Sequence, residues 1–146
     1  MPINIVVLLV AIAAAAAVGF FWNRYNGHFR GAATPANAAA AQMRDTIATE
    51  DMPEPLGETA TLLQFSSAFC APCRATRRVL GDVASMVPGV RHMELDAEHH
   101  LDLVRRLGVM RTPTTFVLDR DGRIVTRASG QPRPVDVIAA IGRASQ

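Results

Sequence analysis

The sequence predicts an α/β domain with a central mixed sheet and flanking helices, preceded by one N-terminal transmembrane helix. Three observations lead to this: an uncharged apolar run at the start, alternating strand-like and helix-like segments after residue 58, and a Cys-x-x-Cys tetrapeptide at a strand-to-helix junction. The chain has 146 residues, of which 49% are hydrophobic, and a formal net charge of +2. This length suffices for one small domain and an additional segment.

The N-terminal run has no charged side chain between residues 2 and 22, and Asn4 is its one strongly polar residue. As a helix it would reach about 30 Å, the thickness of the hydrocarbon core of a bilayer. Trp22 and Tyr25 suit an interfacial aromatic belt at its end. We predict a membrane anchor at residues 1–22, with residues 3–22 in the membrane. A cleaved secretory signal is the alternative, but it would need a basic start and a nearby cleavage site.

Residues 23–57 are predicted to be a juxtamembrane segment and linker, because Ala, Thr, Gly and Pro are frequent there. Residues 38–47 could form a short helix. Arg24 and Arg30 follow the apolar run, so the positive-inside rule places the following domain in the cytoplasm. We expect a single-pass protein of the cell membrane. The extracytoplasmic side is the alternative, since two cysteines do not decide the compartment.

Residues 58–146 are predicted to form the domain, in the order βαβαββα. Apolar periodicity and turn residues place strands at residues 61–65, 90–95, 115–118 and 123–128, and helices at residues 71–87, 101–107 and 135–144. A hairpin after two parallel-type units implies a mixed sheet with helices on both faces.

The tetrapeptide Cys70-Ala71-Pro72-Cys73 contains the only two cysteines of the chain and opens the first predicted helix of the domain. Unpaired N–H groups and the positive end of the helix dipole favour a thiolate at Cys70. Cys73 follows three residues later on the same face, within reach of a disulfide. Cys70 would attack a partner disulfide, and Cys73 would displace the partner by forming the internal disulfide.

Residues 59–144 resemble the thioredoxin superfamily in three features. Phe69-Cys70-Ala71-Pro72-Cys73-Arg74 is similar to the active-site sequence of the family, with Ala in place of the usual Gly. Arg111-Thr112-Pro113-Thr114 resembles the loop in which a cis proline packs against the dithiol, and Gly130 follows the hairpin. The resemblance implies the thioredoxin-like fold, in a membrane-anchored protein of bacterial type.

The resemblance also implies a thiol-disulfide oxidoreductase that reduces protein disulfides, with Cys70 and Cys73 catalytic. The implied substrate-binding residues are Phe69, Ala71, Pro72, Thr112 and Pro113. Thr112 beside a cis proline would pair with an extended substrate segment by strand addition. The sequence has no nucleotide-binding glycine motif, so a separate reductase or a small thiol must supply electrons. No metal or other cofactor and no nucleic-acid partner is predicted, since histidine spacing and scattered basic residues favour neither.

Two positions depart from the family pattern. Gln64 stands where a buried Asp usually assists proton transfer from the second cysteine, and Phe69 stands where Trp is usual. Because Gln is not a base, water or another carboxylate such as Glu94 would serve Cys73, or release of the partner would be slower. Two further functions stay open: an extracytoplasmic oxidant or cytochrome-maturation thioredoxin, and a binding module without catalysis.

Overall fold

The computed structural model describes residues 3–25, 29–31 and 46–146. The helices are α1 (Ile3–Tyr25), α2 (Ala71–Met86), α3 (Leu101–Arg106) and α4 (Pro134–Ala144), with a 3-10 turn at Thr49–Asp51. The strands are β1 (Phe29–Gly31), β2 (Ala60–Ser66), β3 (Val90–Asp96), β4 (Thr114–Leu118) and β5 (Ile124–Ser129). The predicted helices and strands of the domain are confirmed, with ends displaced by about one residue.

The strands form one mixed sheet in the order β1-β5-β4-β2-β3. Strand β2 pairs in parallel with β3 and antiparallel with β4, and β5 pairs antiparallel with β4 and β1. All seven residues of β2 are buried. Helix α2 therefore starts beside an interior strand of the sheet, five positions after β2 ends.

Successive side chains of β2 enter two separate apolar layers, as the two-residue period of a strand requires. Leu62 packs with Leu80 of α2 and with α4 on one face of the sheet. Leu63 and Phe65 pack with α3 residues on the other face. Gln64 is two residues after Leu62 and so points to the α2 face, beneath the start of that helix.

The end of the predicted linker belongs to the packed structure. Ile47 is 1% exposed within the α3-side layer, where Met52 and Leu56 also pack. Thr46 forms an isolated bridge with Arg123 of the β4–β5 turn. These apolar residues are spaced without a helical or strand period, so the sequence pattern does not reveal their burial. Of the possible short helix at residues 38–47, residues 38–45 lie outside the described part of the chain, and residues 46 and 47 are not helical.

Helix α1 agrees with the predicted apolar N-terminal helix. Its segment Ile3–Trp22 has a mean hydropathy of 2.7 over its most apolar window, and none of that window is buried. Phe20, Phe21 and Trp22 are all more than 60% exposed. Length and composition thus suit a membrane span, a test that an N-terminal signal sequence also passes.

Candidate active site

The two cysteines form a disulfide at the first turn of α2, with their Cα atoms 5.2 Å apart. Cys70 is the N-cap residue, and its sulfur accepts a hydrogen bond from the Cys73 backbone N–H at 3.1 Å. Pro72 occupies the first turn, where a missing N–H leaves no helical bond unmade. The structure therefore joins the predicted pair and directs a helix N–H at the sulfur of Cys70.

The two cysteines differ in exposure. Cys73 is 2% exposed, whereas Cys70 is half-buried and is followed by the exposed Ala71 and Pro72. Phe69, directly before the pair, is fully exposed. Cys70 is therefore the accessible cysteine at this edge of the sheet, and Cys73 is buried beneath the surface.

A second loop, residues 107–113, brings a proline to the same edge. The Thr112–Pro113 peptide bond is cis, as the resemblance implied. The hydroxyl oxygens of Ser67 and Thr112 lie 3.0 Å apart and link this loop to the one that carries the cysteines. Gly130 donates its N–H to the Pro113 carbonyl at 2.8 Å from a positive φ of 92°, which explains the glycine after the hairpin.

The backbone N–H and C=O of Thr112 have no hydrogen-bond partner among the residues that the structure describes. Beside Thr112 runs a groove of about 560 Å³ between α2, the cis-proline loop and the start of α4. The groove is lined by Pro72, Val79, Arg111, Thr112, Pro113, Gly130, Gln131, Pro132, Arg133 and Pro134. Three of the predicted substrate-binding residues, Pro72, Thr112 and Pro113, are therefore in its wall, and Phe69 and Ala71 are exposed near the disulfide.

Gln64 lies at the base of the site and is fully buried. Its side-chain amide donates to the Ser66 hydroxyl at 2.8 Å and to the Cys73 carbonyl at 3.0 Å. Its carbonyl oxygen lies 3.2 Å from Nε2 of His92 on β3. The amide thus ties the first turn of α2 to two strands, with each of its polar atoms in use.

The donor and the acceptor of each hydrogen bond in this network can be assigned. Because the Ser66 hydroxyl accepts from Gln64, its own hydrogen is donated to the Glu94 carboxylate. Arg77 of α2 donates two bonds to the same carboxylate, at 2.6 and 2.8 Å. Since Gln64 Oε1 only accepts, His92 must donate from Nε2. Glu94, the carboxylate suggested to serve Cys73, is linked to the Cys73 carbonyl only through the Ser66 hydroxyl and the Gln64 amide, and the amide does not carry a proton onward.

Two pKa shifts accompany the network. Burial lowers the pKa of His92, and the charge of Arg77 acts in the same direction against the opposing charge of Glu94. Burial raises the pKa of Glu94, but the hydrogen bonds from Arg77 and Ser66 and the charge of Arg77 outweigh it, so the pKa lies below its ordinary value. His92 is consequently neutral and Glu94 ionised at neutral pH. The sequence alone did not indicate this role for His92, because its partner Gln64 is 28 residues away.

His99 and His100 lie around a turn at the end of β3. The Asp96 carboxylate accepts the Glu98 backbone N–H at 2.8 Å, so Asp96 stabilises this turn. His99 is exposed and lies 3.1 Å from the Asp96 carboxylate, and His100 contacts the Asp96 carbonyl. Within the described residues, no three His, Cys, Asp or Glu side chains converge in a way that could hold a metal ion.

Known proteins resemble this chain over the residues that carry the disulfide and the cis proline. The thioredoxin family model matches residues 42–143. Thioredoxin H-type 1 of Nicotiana tabacum is 30% identical over 69 residues, covering 47% of this chain and 54% of that protein. The thioredoxin of Chlamydia muridarum is 26% identical over 88 residues, covering 60% of this chain and 85% of that protein. The chain spans about half the length of the first curated relatives that it matches.

Among solved structures, spinach chloroplast thioredoxin f in its short form superposes with a TM-score of 0.54 at 23% identity, covering 62% of this chain and 80% of that one. Sheet order, cis proline and a disulfide-bonded Cys-x-x-Cys at a helix start define an α/β protein of the thioredoxin-like fold. The match of the family model over most of the domain places it further: this chain belongs to the thioredoxin family.

Replacing Gln64 should test the network directly. Gln64→Leu would leave the Ser66 hydroxyl, the Cys73 carbonyl and His92 short of partners, and we expect the free energy of unfolding to fall by about 2–4 kcal/mol. Gln64→Glu keeps the shape but places a carboxylate against the Cys73 carbonyl, so it should be closer to wild type at pH 5 than at pH 8. Urea unfolding at both pH values measures this. A Leu variant as stable as wild type would show that the network does not stabilise the fold.

The depressed pKa of His92 predicts a defined loss of stability on acidification. Unfolded His92 titrates near its ordinary 6.5, while folded His92 stays neutral to lower pH. Between the two values the unfolded state binds more protons, so the free energy of unfolding should decrease as pH falls below about 6.5. Glu94 adds its own loss only below its ordinary 4.5.

His92→Gln retains an N–H donor without the titration. Urea unfolding between pH 7.5 and 5 should therefore show a smaller decline in this variant than in wild type. The variant His99→Gln, outside this network, is the control: it removes a contact with the Asp96 carboxylate and should not make the decline smaller. Equal declines in wild type and His92→Gln would contradict the assignment.

Proposed function

We propose that this protein is a membrane-anchored thiol-disulfide oxidoreductase that reduces protein disulfides through the Cys70–Cys73 couple. The observation that carries the proposal is the contrast between the two sulfurs. Cys70 is accessible and accepts a helix N–H, and Cys73 is buried within disulfide distance behind it. A thiolate is stabilised at such a helix start, which makes Cys70 the nucleophile.

Reduction of a partner disulfide takes two exchanges. The reduced Cys70 thiolate attacks one sulfur of the partner, forming a mixed disulfide and releasing the other partner sulfur as a thiolate. Cys73 then attacks the Cys70 sulfur, breaks the mixed disulfide and releases the second partner thiol. The partner gains two electrons, one proton that derives from Cys73 and a second proton from water, because Cys70 reacts as a thiolate. The enzyme is left with the Cys70–Cys73 disulfide.

The proton of Cys73 must leave during the second exchange. Gln64 contacts the Cys73 carbonyl but has no basic atom, and Glu94 is engaged by Ser66 and Arg77. The acceptor that fits is therefore the departing partner thiolate or water, and a buried carboxylate does not take this role. Gln64 positions the backbone of Cys73.

The cis-proline loop holds the partner. The free N–H and C=O of Thr112 suit strand addition by an extended segment, and the groove beside Pro72 and Pro113 accommodates its side chains. Phe69 and Ala71 supply exposed apolar surface on the other side of the disulfide. Main-chain pairing would place a partner sulfur at Cys70. A separate reductase or a small thiol returns the disulfide to the dithiol.

Trapping tests the exchange mechanism. In Cys73→Ser the mixed disulfide at Cys70 forms but is not resolved, so we expect covalent adducts with partner proteins, detected by non-reducing electrophoresis and mass spectrometry. Cys70→Ser is the matched control and should trap at least tenfold less, because Cys73 is buried. A pure binding module predicts no adducts with either variant and full cellular function for both. Equal trapping by both variants would overturn the assigned roles.

The equilibrium with glutathione separates a reductant from the alternative oxidant. A reduction potential of the full chain near about −270 mV supports reduction of partners, whereas one near about −120 mV indicates an oxidant acting outside the cytoplasm. Alkylation of free thiols at each glutathione ratio measures the oxidised fraction.

The anchor and its orientation form a separate proposal. Helix α1 suits a membrane span, and Arg24 and Arg30 after it favour a cytoplasmic domain. We expect the uncleaved chain to stay in the membrane pellet after alkaline carbonate, with a C-terminal tag accessible only from the cytoplasm. Val10→Arg, mid-helix, should release much of it, since a central charge costs about 3 kcal/mol. Val135→Arg, at an exposed apolar position of α4, is the control.

A shortened chain free of the membrane would contradict the anchor and indicate a cleaved signal. An intact, membrane-bound chain whose tag is accessible only from outside would overturn the cytoplasmic orientation and favour the extracytoplasmic alternative.

A further inference from the structure

We propose that the rim of the disulfide selects an acidic extended segment of the partner protein. This inference rests on the proposed function, because it concerns the segment that carries the partner disulfide. It is drawn from the positive charges without a carboxylate partner and the exposed apolar side chains near Cys70. Disulfide exchange by itself does not distinguish one partner disulfide from another, so these surface groups would supply the selection.

The charges around the site are one-sided. The groove beside the disulfide has Arg111 and Arg133 in its wall and no carboxylate. Arg74 follows Cys73 directly and is exposed. Charges this close to a docked segment act within the Debye length of about 8 Å at physiological salt.

Two arginines near the site already have a carboxylate partner within the protein. Arg77 forms a two-bond contact with Glu94, and Arg133 forms one with Asp136 at 2.7 and 3.0 Å. Across residues 46–146, no carboxylate lies within 4.0 Å of Arg111 or Arg74. The site therefore presents about two positive charges without internal partners.

Arg111 is also oriented. Its Nη2 donates to the Ser129 carbonyl at 3.1 Å, which holds the guanidinium beside the cis-proline loop and leaves its other donors available. A carboxylate near the partner cysteine could accept from these donors. Because the guanidinium is already held, less side-chain entropy is lost on binding than for a mobile arginine.

Exposed apolar side chains complete the surface. Phe69 is fully exposed and Met110 is 91% exposed, and their loops are joined by the Ser67–Thr112 contact. Isolated apolar exposure is common, but Phe69 directly precedes the accessible Cys70 and Met110 belongs to the cis-proline loop. The occupant that fits is an extended segment with a carboxylate and an apolar residue close to its cysteine.

The test compares two disulfide-bonded peptides that differ only in having Glu or Lys beside the reacting cysteine. Full-length reduced protein in a non-ionic detergent reduces each, and the ratio of kcat/KM for the Glu peptide to that for the Lys peptide is measured. The ratio cancels changes in the intrinsic reactivity of the dithiol. Exposed ion pairs are worth about 0.2–1 kcal/mol each, so we expect a ratio of about 3 to 10 at low salt, approaching 1 at high salt.

Charge variants locate the effect. Arg111→Glu and Arg74→Glu should lower the ratio toward or below 1, and Arg111→Lys should retain most of it. Arg120→Glu makes the same charge change in the β4–β5 turn, at the opposite end of β4 from the cis proline, and should leave the ratio unchanged.

A wild-type ratio near 1, or an equal shift in Arg120→Glu and Arg111→Glu, would overturn the proposed selection while leaving the exchange activity intact. If neither peptide is reduced, the proposed function itself fails. The two failures are thus distinguishable in one assay.

Discussion

The hydrogen bond from the Cys73 backbone N–H to the sulfur of Cys70 places the reactive atom at the positive end of α2, and the structure around it holds that contact. Helix α2 starts five positions after the fully buried interior strand β2, so a short loop attaches its first turn to the sheet. Leu80 and Val83 anchor the rest of the helix in the core. The cysteine sulfurs are therefore positioned by packing of the whole α2 face.

Beneath that turn, a series of hydrogen-bonded polar side chains lies inside an apolar layer. Gln64, His92 and Ser66 are buried or half-buried, and each donor among them meets an acceptor, ending at the carboxylate of Glu94 and the guanidinium of Arg77. A buried polar group costs stability unless it is paired. Each donor in this series has an acceptor, and these hydrogen bonds offset the cost of burial. The series also places the uncharged Gln64 amide, and not a carboxylate, next to the Cys73 carbonyl.

The arginines near the site differ in whether they have a partner. Arg77 is paired with Glu94, whereas Arg74 and Arg111 have no carboxylate within 4.0 Å among the described residues. The proposed selection of a partner segment therefore depends on Arg74 and Arg111. Strand β1 (Phe29–Gly31) pairs with β5 of the domain only four positions after α1 ends, so a membrane anchor at α1 would hold the domain close to the bilayer and limit which partners reach Cys70.

Local pattern was enough to determine the order and type of the domain elements, because two-residue and 3.6-residue periods and turn residues are encoded in neighbouring positions. The Cys-x-x-Cys spacing determined the disulfide, and the resemblance supplied the cis Pro113. Only the tertiary structure decided that Gln64 meets His92 and Ser66 meets Glu94, each 28 residues away, and that Ile47 enters the core. Such contacts depend on strand register and on which face each side chain takes, and a single segment of sequence does not contain that information.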